Sequence, residues 1–306
     1  MSLPVSTDHR ISCVSPAGVH QMAYKEWGDP QNPHVLLCLH GLLRTGRDFD
    51  ALAQKMSTQY RVICPDIVGR GASDWLADPA YYTIPQYGSD ILTLLQQLQP
   101  ERVDWVGTSM GGLITLSVAS VLFAPTLMAA PSWQFGKVVL NDVGPVLSAA
   151  GLARIAQYVS DQHQFASWEQ AVAGAQTRWA NFGPHSHAQW EHLARYVFKQ
   201  QGAYWVNAYD SGIAAAFHQQ LELDQAQQGQ LTQLAQQTLW HAFEQLPQDC
   251  LIVRGEFSDL LSPDTAHEML VRQPNAGLYQ VSGVGHAPTL MQADQLHVLS
   301  QFLLKD

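Results

Sequence analysis

The sequence predicts an α/β fold, in which a mostly parallel central sheet has helices on both faces and carries an inserted helical cap. Short apolar runs that suit buried parallel strands, such as HVLLCL at 34–39 and LIVR at 251–254, alternate with segments of helical periodicity. This alternation is typical of parallel sheets that are covered by helices on both faces. A break in the alternation between 149 and 248 predicts the insertion.

The predicted elements follow one another in a regular order along the chain. An antiparallel hairpin over 11–27, with a Pro-Ala-Gly turn, leads into the main sheet. The two outer parts of the chain, 1–148 and 249–306, are predicted to form the core domain together. Further strands are predicted at 34–39, 60–64, 103–106, 137–140, 251–254 and 278–281, and helices at 48–56, 84–98, after 109, 263–271 and 293–304.

Residues 149–248 are predicted to form a helical cap. This segment contains no strand-like run, is rich in Gln, Ala and His, and carries five tryptophans. Several amphipathic helices with polar connections fit this pattern. Most of these tryptophans are expected to pack between helices, with one or two lining an apolar pocket: Trp168, Trp179, Trp190, Trp205 and Trp240.

Composition narrows the kind of partner. The 306 residues are 46% hydrophobic and 14% charged, an ordinary globular balance. A formal net charge of −10 disfavours binding to nucleic acids or anionic membranes. The start of the chain lacks the features of a secretory signal, and no apolar run of about 18 residues occurs. We therefore expect a cytoplasmic protein without a membrane span, whose partner is a small-molecule substrate.

No metal and no organic cofactor is expected. The 13 histidines show no HExxH or other recognised ligand spacing. The glycine-rich loop at 67–74 lacks both GxGxxG and the GKS or GKT of a P-loop, so a tight turn explains it better than a phosphate site. Four widely spaced cysteines without a CxxC motif favour buried free thiols over disulfides or metal ligands.

The segment GTSMGG at 107–112 predicts a nucleophile. It joins an apolar strand to a helical segment, and Ser109 lies at the tip of the sharp turn between them. Gly107 and Gly111 lack the Cβ atoms that would collide in such a turn, so the Ser109 hydroxyl is expected to stand exposed above the sheet. A chance occurrence of GxSxG is the alternative explanation for these residues.

Two backbone amides are predicted to form an oxyanion hole beside Ser109. Met110 begins the following helix, so its amide and the helix dipole favour negative charge at this point. Leu42 follows the HVLLCL strand in the turn His40-Gly41-Leu42 and is predicted to supply the second amide. His40 is expected to hold this turn by a side-chain hydrogen bond rather than to act as a base.

A serine nucleophile needs a base, which is itself oriented by an acid. His286, in the GVGHAP segment after the last predicted strand, is the predicted base. Asp259 follows the strand LIVR and Asp142 follows the strand KVVL, so both are contenders for the acid that orients His286. Asp259 is the predicted acid, and Asp142 is predicted instead to hold its own loop. On this prediction, Asp259→Asn lowers turnover far more than Asp142→Asn.

Taken together, these segments resemble the α/β hydrolase superfamily, and they look most like its esterase-type serine hydrolases with a helical cap. The family order is kept by HGLLRTGRDFD, PDIVGRGASDWL, GTSMGG, LNDVGP, RGEFSDLL and GVGHAPTL. The resemblance implies Ser109 as nucleophile, His286 as general base and acid, and Asp259 as the orienting acid. Haloalkane dehalogenases and epoxide hydrolases have aspartate where Ser109 stands, which argues against both activities.

The predicted function is hydrolysis of a small or medium carboxylic ester through a Ser-His-Asp triad and an acyl-enzyme. An apolar acyl or aryl group in the substrate is expected from the cap. The same triad also serves the hydrolysis of a lactone, a thioester or a carbon–carbon bond beside a ketone, and the fold alone does not separate these reactions. A ligand sensor that keeps the fold without catalysis is the alternative from another class.

Overall fold

The computed structural model describes residues 6–124, 131–247 and 249–305. The predicted end of the cap at Gln248 lies outside these residues, as do positions 1–5, 125–130 and 306 of the predicted core. The strands are β1 (Thr7–Ser15), β2 (Gly18–Trp27), β3 (His34–Leu39), β4 (Arg61–Pro65), β5 (Arg102–Thr108), β6 (Gln134–Asn141), β7 (Gln164–Phe165), β8 (Phe198–Gln201), β9 (Tyr204–Asn207), β10 (Cys250–Gly255) and β11 (Gly277–Val281). The helices are α1 (Asp50–Met56), α2 (Ile84–Leu98), α3 (Met110–Leu122), α4 (Ala149–Val159), α5 (Trp168–Arg178), α6 (His187–Arg195), α7 (Gly212–Ala226), α8 (Gln230–Gln245), α9 (Pro263–Arg272) and α10 (Ala293–Leu303).

Eight of these strands form one sheet in the order β1-β2-β4-β3-β5-β6-β10-β11. From β4 to β11 every neighbouring pair is parallel, whereas β2 pairs antiparallel with both β1 and β4. The predicted fold class, a mostly parallel sheet flanked by helices, is therefore confirmed. Because these strands are parallel, the loops after β3, β5, β6, β10 and β11 all leave from one edge of the sheet, where α/β proteins bind their ligands.

Alternate residues of the strands pack into two cores, one on each face of the sheet. Leu37 and Leu39 of β3 belong to the core that includes α2, α3 and α8. Leu36 and Cys38 of the same strand belong to the core that includes α1 and α10. Both faces of β3 are thus buried, which explains why HVLLCL is a continuous apolar run without polar alternation.

The bounds of α2 agree with the sequence prediction because its ends carry strong signals. The Thr83 side chain accepts a hydrogen bond from the Gln86 amide, and Pro85 lies in the first turn, where an amide hydrogen has no intrahelical acceptor. Gln99 ends the helix in the left-handed conformation, at φ 48°.

The inserted segment contains a small sheet as well as helices, which corrects the prediction of helices alone. The strands β7, β9 and β8 pair in that order as an antiparallel sheet. Each has only two to four residues, and most of their side chains are accessible to solvent, so no apolar run marks them in the sequence. Gly202 turns the chain between β8 and β9 at φ +60°, a conformation that favours glycine.

The insertion packs in two parts. Val172 of α5 and Leu193 of α6 belong to a small core of its own. Helix α8 instead packs against α3, and its Trp240 and Phe243 belong to the main core. The part with its own core is thus shorter than the 149–248 segment. The sequence assigns α8 to the insertion because the Gln-rich outer face of this helix resembles the rest of that segment in composition.

None of the described helices is long and apolar enough to cross a membrane. The cysteines lie inside the protein, where burial suits their weakly polar thiols. All four are buried and free: Cys13, Cys38, Cys64 and Cys250.

Candidate active site

Ser109 lies in the turn between β5 and α3. Its backbone has φ 52° and ψ −116°, a strained conformation for a residue that carries a side chain. The Ser109 amide donates to the Asn141 carbonyl at the end of β6 at 2.9 Å, and the Gly112 amide donates to the Ser109 carbonyl at 2.9 Å. These contacts hold the serine at the carboxyl edge of the sheet.

Gly107 and Gly111 let the turn close against neighbouring backbone. A Cβ atom on Gly111 would lie 2.0 Å from the Leu39 carbonyl oxygen, and a Cβ atom on Gly107 would lie 2.6 Å from the backbone of Gly112. Both neighbours are main-chain atoms, so no side-chain rotation relieves these overlaps.

Gly111→Ala is therefore expected to lower the free energy of unfolding by roughly 2–3 kcal/mol, because backbone must move to admit the methyl group. Urea unfolding measures the effect. Gly88→Ala, in the interior of α2, is the matched control, since atoms of Ser117 and Val118 lie at 3.6 Å from its added Cβ. This control should be neutral or stabilise by about 0.5–1 kcal/mol. Equal stability of the two variants would contradict the close packing at Gly111.

His286 lies in the loop after β11, with its Nε2 atom 2.9 Å from Oγ of Ser109. Asn181, from the insertion, holds this loop at two points. Its Nδ2 atom donates to the His286 carbonyl at 2.5 Å, and its own carbonyl accepts from the Gly285 amide at 2.6 Å. The inserted segment thus fixes the position of the histidine.

The carboxylate beside His286 is that of Asp142, not that of Asp259. Oδ2 of Asp142 lies 2.8 Å from Nδ1 of His286, and the Asp142 side chain is fully buried. Oδ1 accepts from the Gly255 amide at 2.9 Å, and Oδ2 also accepts from the Ser258 hydroxyl at 2.7 Å. The predicted contact between Asp259 and His286 is therefore not present in the structure, and Asp142 contacts the histidine instead.

Asp259 pairs with Arg154 of α4 instead. Nη2 of Arg154 donates to Oδ1 of Asp259 at 2.8 Å, and Nε donates to Oδ2. The hydrogen bond from Arg154 lowers the pKa of Asp259 below its ordinary value. In the loop after β10, Ser258 contacts Asp142 and the next residue contacts the insertion. Two neighbouring residues of this loop thus point to different parts of the protein, Ser258 towards Asp142 and Asp259 towards Arg154. The sequence pattern does not reveal which of the two side chains lies beside the triad.

These hydrogen bonds select one tautomer of His286. The oxygens of the Asp142 carboxylate only accept, so Nδ1 of His286 carries a proton and donates it to Oδ2. Nε2 of the neutral ring then accepts from the Ser109 hydroxyl. Asp142 has a left-handed backbone at φ 59°, and its amide donates to the Val253 carbonyl at 2.7 Å. The acid is therefore anchored between β6 and β10.

His40 holds the loop after β3. Its Nε2 atom accepts from the Ile67 amide at 2.9 Å, so Nδ1 is protonated and donates to the Gly41 carbonyl at 2.7 Å. A Cβ atom on Gly41 would lie 3.9 Å from Cβ of Ser109, which places this loop directly beside the serine. Both ring nitrogens of His40 are thus occupied by backbone groups.

Burial lowers the pKa of His40 from 6.5 to about 4. Between these values the unfolded chain binds a proton that the folded chain does not bind. His40 should therefore reduce the free energy of unfolding as pH falls from about 6.5 towards 4, by up to roughly 3 kcal/mol. An NMR titration of the His40 ring measures this directly, with an expected midpoint near 4. A midpoint at the ordinary value would contradict the effect of burial.

Arg70 supports the loop of Leu42 and the start of α3 from inside the protein. Its side chain is fully buried, its Nε atom donates to the Leu42 carbonyl at 2.8 Å, and its Nη2 atom lies 3.6 Å from Sδ of Met110. One rigid cation thus fixes the two residues whose amides are predicted to stabilise an oxyanion. The sequence pattern predicts only a turn at 67–74 and does not single out Arg70, because nothing in GRGASD indicates that its arginine is buried.

A small cavity of about 60 Å³ lies beside Ser109 and His286. Its walls come from the loop after β3, from the two site loops and from the insertion. Trp179 lines this cavity, whereas Trp190 belongs to the small core of the insertion and Trp240 to the main core. The insertion contributes Arg154, Tyr158, Arg178, Trp179, Asn181 and Phe182 to the walls. This segment therefore forms part of the cavity wall beside the serine.

A second cluster of polar side chains joins β1 and β2 to α2. Cys13, His20 and Asp90 each offer one atom, and these atoms lie within 4.8 Å of one another, a spacing that could hold a metal ion. Nε2 of His20 lies 3.0 Å from Oδ2 of Asp90, and the Gln86 side chain donates to Oδ1 at 2.8 Å. The cluster thus already has internal hydrogen bonds, and it does not line the Ser109 cavity.

Comparison with known proteins identifies the family. The model of the alpha/beta hydrolase family matches residues 36–297. The 3-hydroxybutyrate-oligomer hydrolase of Cupriavidus necator is 42% identical over 296 residues, which cover 95% of this chain and 96% of that protein. An alpha/beta hydrolase from Novosphingobium aromaticivorans, known from its crystal structure, has a TM-score of 0.79 and 31% identity, with 99% of each chain covered. The family resemblance predicted from the sequence is thus confirmed, and the chain belongs to the alpha/beta hydrolase family.

Proposed function

We propose that this chain is a serine-dependent carboxylic ester hydrolase that acts on small oligoesters of 3-hydroxybutyrate. The observation that carries the proposal is the hydrogen-bonded series of Ser109, His286 and Asp142, with contacts of 2.9 and 2.8 Å. This series matches the nucleophile, base and acid of a Ser-His-Asp triad.

In the proposed reaction, Oγ of Ser109 attacks the ester carbonyl carbon while Nε2 of His286 takes the hydroxyl proton. Asp142 orients the ring and stabilises the imidazolium. The amides of Leu42 and Met110 donate to the oxyanion, each contributing about 3 kcal/mol to stabilising the transition state. His286 then gives its proton to the leaving oxygen, which departs as an alcohol. Water, deprotonated by His286, attacks the acyl-enzyme carbonyl. His286 then returns this proton to Oγ of Ser109 as the bond to the acyl group breaks and the acid is released.

The relative from Cupriavidus necator supports the substrate class. By its name it acts on 3-hydroxybutyrate oligomers, and its match extends over nearly the whole of both chains. Such oligomers consist of short acyl units joined by carboxylic ester bonds, and each unit carries an apolar methyl group that Trp179 and Phe182 could contact. The cavity of about 60 Å³ is much smaller than common ligand pockets of roughly 300–1,000 Å³. These two side chains are therefore expected to move when an oligomer enters.

Hydrolysis of the linear 3-hydroxybutyrate dimer and trimer tests the proposal, with chromatography of the released monomer. The wild type is expected to release monomer from both oligomers, and Ser109→Ala is expected to release none above background. A series of p-nitrophenyl esters, from acetate to long acyl chains, separates the chemistry from the substrate class. Cleavage of the short p-nitrophenyl esters without cleavage of either oligomer would retain the ester hydrolase and reject 3-hydroxybutyrate oligomers.

The same set of oligomers and p-nitrophenyl esters also tests the alternative functions that the sequence leaves open. A folded protein that cleaves no ester in the series would redirect the assignment to lactones, thioesters or carbon–carbon bonds beside a ketone. A folded protein that cleaves none of these would favour a ligand sensor.

A further inference from the structure

The wall of the Ser109 cavity is basic, although the chain carries a net charge of −10. Arg44 from the loop after β3, Arg154 from α4 and Arg178 from α5 all line this cavity. Among the described residues that line it, there is no aspartate or glutamate. Positively charged side chains that line a cavity with no acidic residue among them favour an anionic ligand over a neutral one.

Arg44 keeps one hydrogen-bond donor free. Its Nε and Nη2 atoms donate to Asp48 at 2.8 and 2.6 Å. Its Nη1 atom is buried and has no hydrogen-bond partner among the described residues, and the whole residue is only 8% exposed. The guanidinium carbon lies 4.5 Å from the centroid of the Trp179 ring, so the free donor lies beneath the inserted segment. A buried charged donor without a partner is costly, and a ligand that accepts its hydrogen bond removes this cost.

Arg154 and Arg178 are each held by a neighbouring group. Asp259 takes the Nε and Nη2 donors of Arg154, which leaves Nη1 without a hydrogen bond to the described part of the chain. Arg178 donates from Nη2 to the Tyr158 carbonyl, and its ion-pair partner Asp161 lies 3.9 Å away with a side chain that is 53% exposed. The charge of Arg178 is therefore only weakly neutralised, while its guanidinium group is fixed in place.

Carboxylates are the natural ligands for such a wall. A guanidinium group presents paired donors in a plane that matches the two oxygens of a carboxylate. A linear oligomer of a hydroxy acid has one free carboxylate at its end, in addition to its neutral internal ester bonds. The proposed substrate thus carries one group for Ser109 and another for the arginines.

Resting on the proposed function, we infer that Arg44, Arg154 and Arg178 bind the free carboxylate of the substrate. This carboxylate-binding wall selects oligoesters with a free acid end over neutral esters of the same length. Because the guanidinium groups are fixed relative to Ser109, the wall also determines which ester bond, counted from the acid end, lies at the nucleophile.

The test compares the linear 3-hydroxybutyrate dimer with its methyl ester, which has the same internal ester bond but no charge. Cleavage of the internal bond is followed as release of 3-hydroxybutyrate from the acid and of methyl 3-hydroxybutyrate from the methyl ester. The wild type is expected to show a kcat/KM at least about tenfold higher for the acid, because hydrogen bonds between charged groups contribute that much or more. Arg44→Gln and Arg154→Gln should each lower this ratio several-fold towards one.

Arg47→Gln and Arg195→Gln are matched controls. Arg47 lies near Arg44 in the chain but pairs with Asp50, and Arg195 lies over the Trp168 ring. Neither control residue lines the Ser109 cavity. Both variants should keep the wild-type ratio of acid to methyl ester. The ratio does not depend on the amount of folded enzyme, so a partly misfolded variant does not imitate the expected result.

The possible outcomes distinguish a failure of the inference alone from a failure of the proposed function. Equal kcat/KM for acid and methyl ester in the wild type, with cleavage that depends on Ser109, overturns the carboxylate-binding wall and leaves the esterase standing. An equal fall of the ratio in the controls and in Arg44→Gln also overturns the wall. Absence of cleavage of either dimer by folded wild type overturns both.

Discussion

Ser109→Ala should lower kcat for ester hydrolysis by about 10⁴ to 10⁶-fold, because the variant has no nucleophile for His286 to activate. Water and the oxyanion donors would supply the remaining rate. The residual activity is measured with p-nitrophenyl acetate under saturating conditions. Urea unfolding of the same preparation shows whether the variant is folded.

Ser89→Ala is the matched control for this result. Ser89 lies on the exposed side of α2, away from the Ser109 cavity, so its replacement should leave kcat unchanged. Retention of more than about a tenth of wild-type kcat by Ser109→Ala would mean that another group carries the reaction, since loss of a triad serine removes several orders of magnitude.

Asp142→Asn should lower kcat by about 10⁴-fold, because the asparagine side chain no longer selects the tautomer of His286 that accepts the Ser109 proton. The present contact joins Oδ2 of Asp142 to Nδ1 of His286 at 2.8 Å. Asp259→Asn is the matched comparison. It weakens the ion pair with Arg154 and leaves the contact to His286 in place, so its effect on kcat should be far smaller.

Steady-state kinetics on one p-nitrophenyl ester ranks the two variants, and thermal unfolding checks that both are folded. This ranking is the reverse of the one predicted from the sequence. A larger loss of kcat in Asp259→Asn than in Asp142→Asn would contradict the proposed triad and return Asp259 to the role of acid.

Local patterns predicted much of the fold and the positions of two site residues. The strand–turn–helix around Ser109 depends on Gly107 and Gly111, each of which lies only two positions from the serine. The segment GTSMGG therefore contains nearly all the information for this turn. His286 follows the last strand of the sheet, and parallel topology brings the end of that strand to the same edge as Ser109. Buried strands such as β3 can be predicted from the sequence because both of their faces are apolar.

The sequence does not reveal which of Asp142 and Asp259 contacts His286. Both residues follow neighbouring parallel strands, β6 and β10, so topology brings both to the same edge. Which carboxylate reaches His286 depends on the backbone conformation of the loop after β10, where Ser258 contacts Asp142 and the following residue contacts Arg154. That ion pair joins the core to the insertion, a long-range contact that no local motif encodes.

The arginines of the cavity were missed for the same reason. Arg44 and Arg154 are more than 100 positions apart, and each looks like an ordinary surface residue in its own segment. Only the packing of the insertion over the sheet reveals that Arg44 is buried beneath Trp179. The small sheet of β7, β8 and β9 was missed because its strands are too short and polar to produce a pattern.

Labelling with a serine-reactive fluorophosphonate, followed by mass spectrometry of the digested protein, tests the proposed triad most directly. The proposed triad predicts one adduct on Ser109 in the folded wild type, no adduct on Ser109 after urea unfolding, and strongly slowed labelling in Asp142→Asn but not in Asp259→Asn. A folded protein in which Ser109 stays unlabelled, or labelling that Asp259→Asn slows and Asp142→Asn does not, would contradict it.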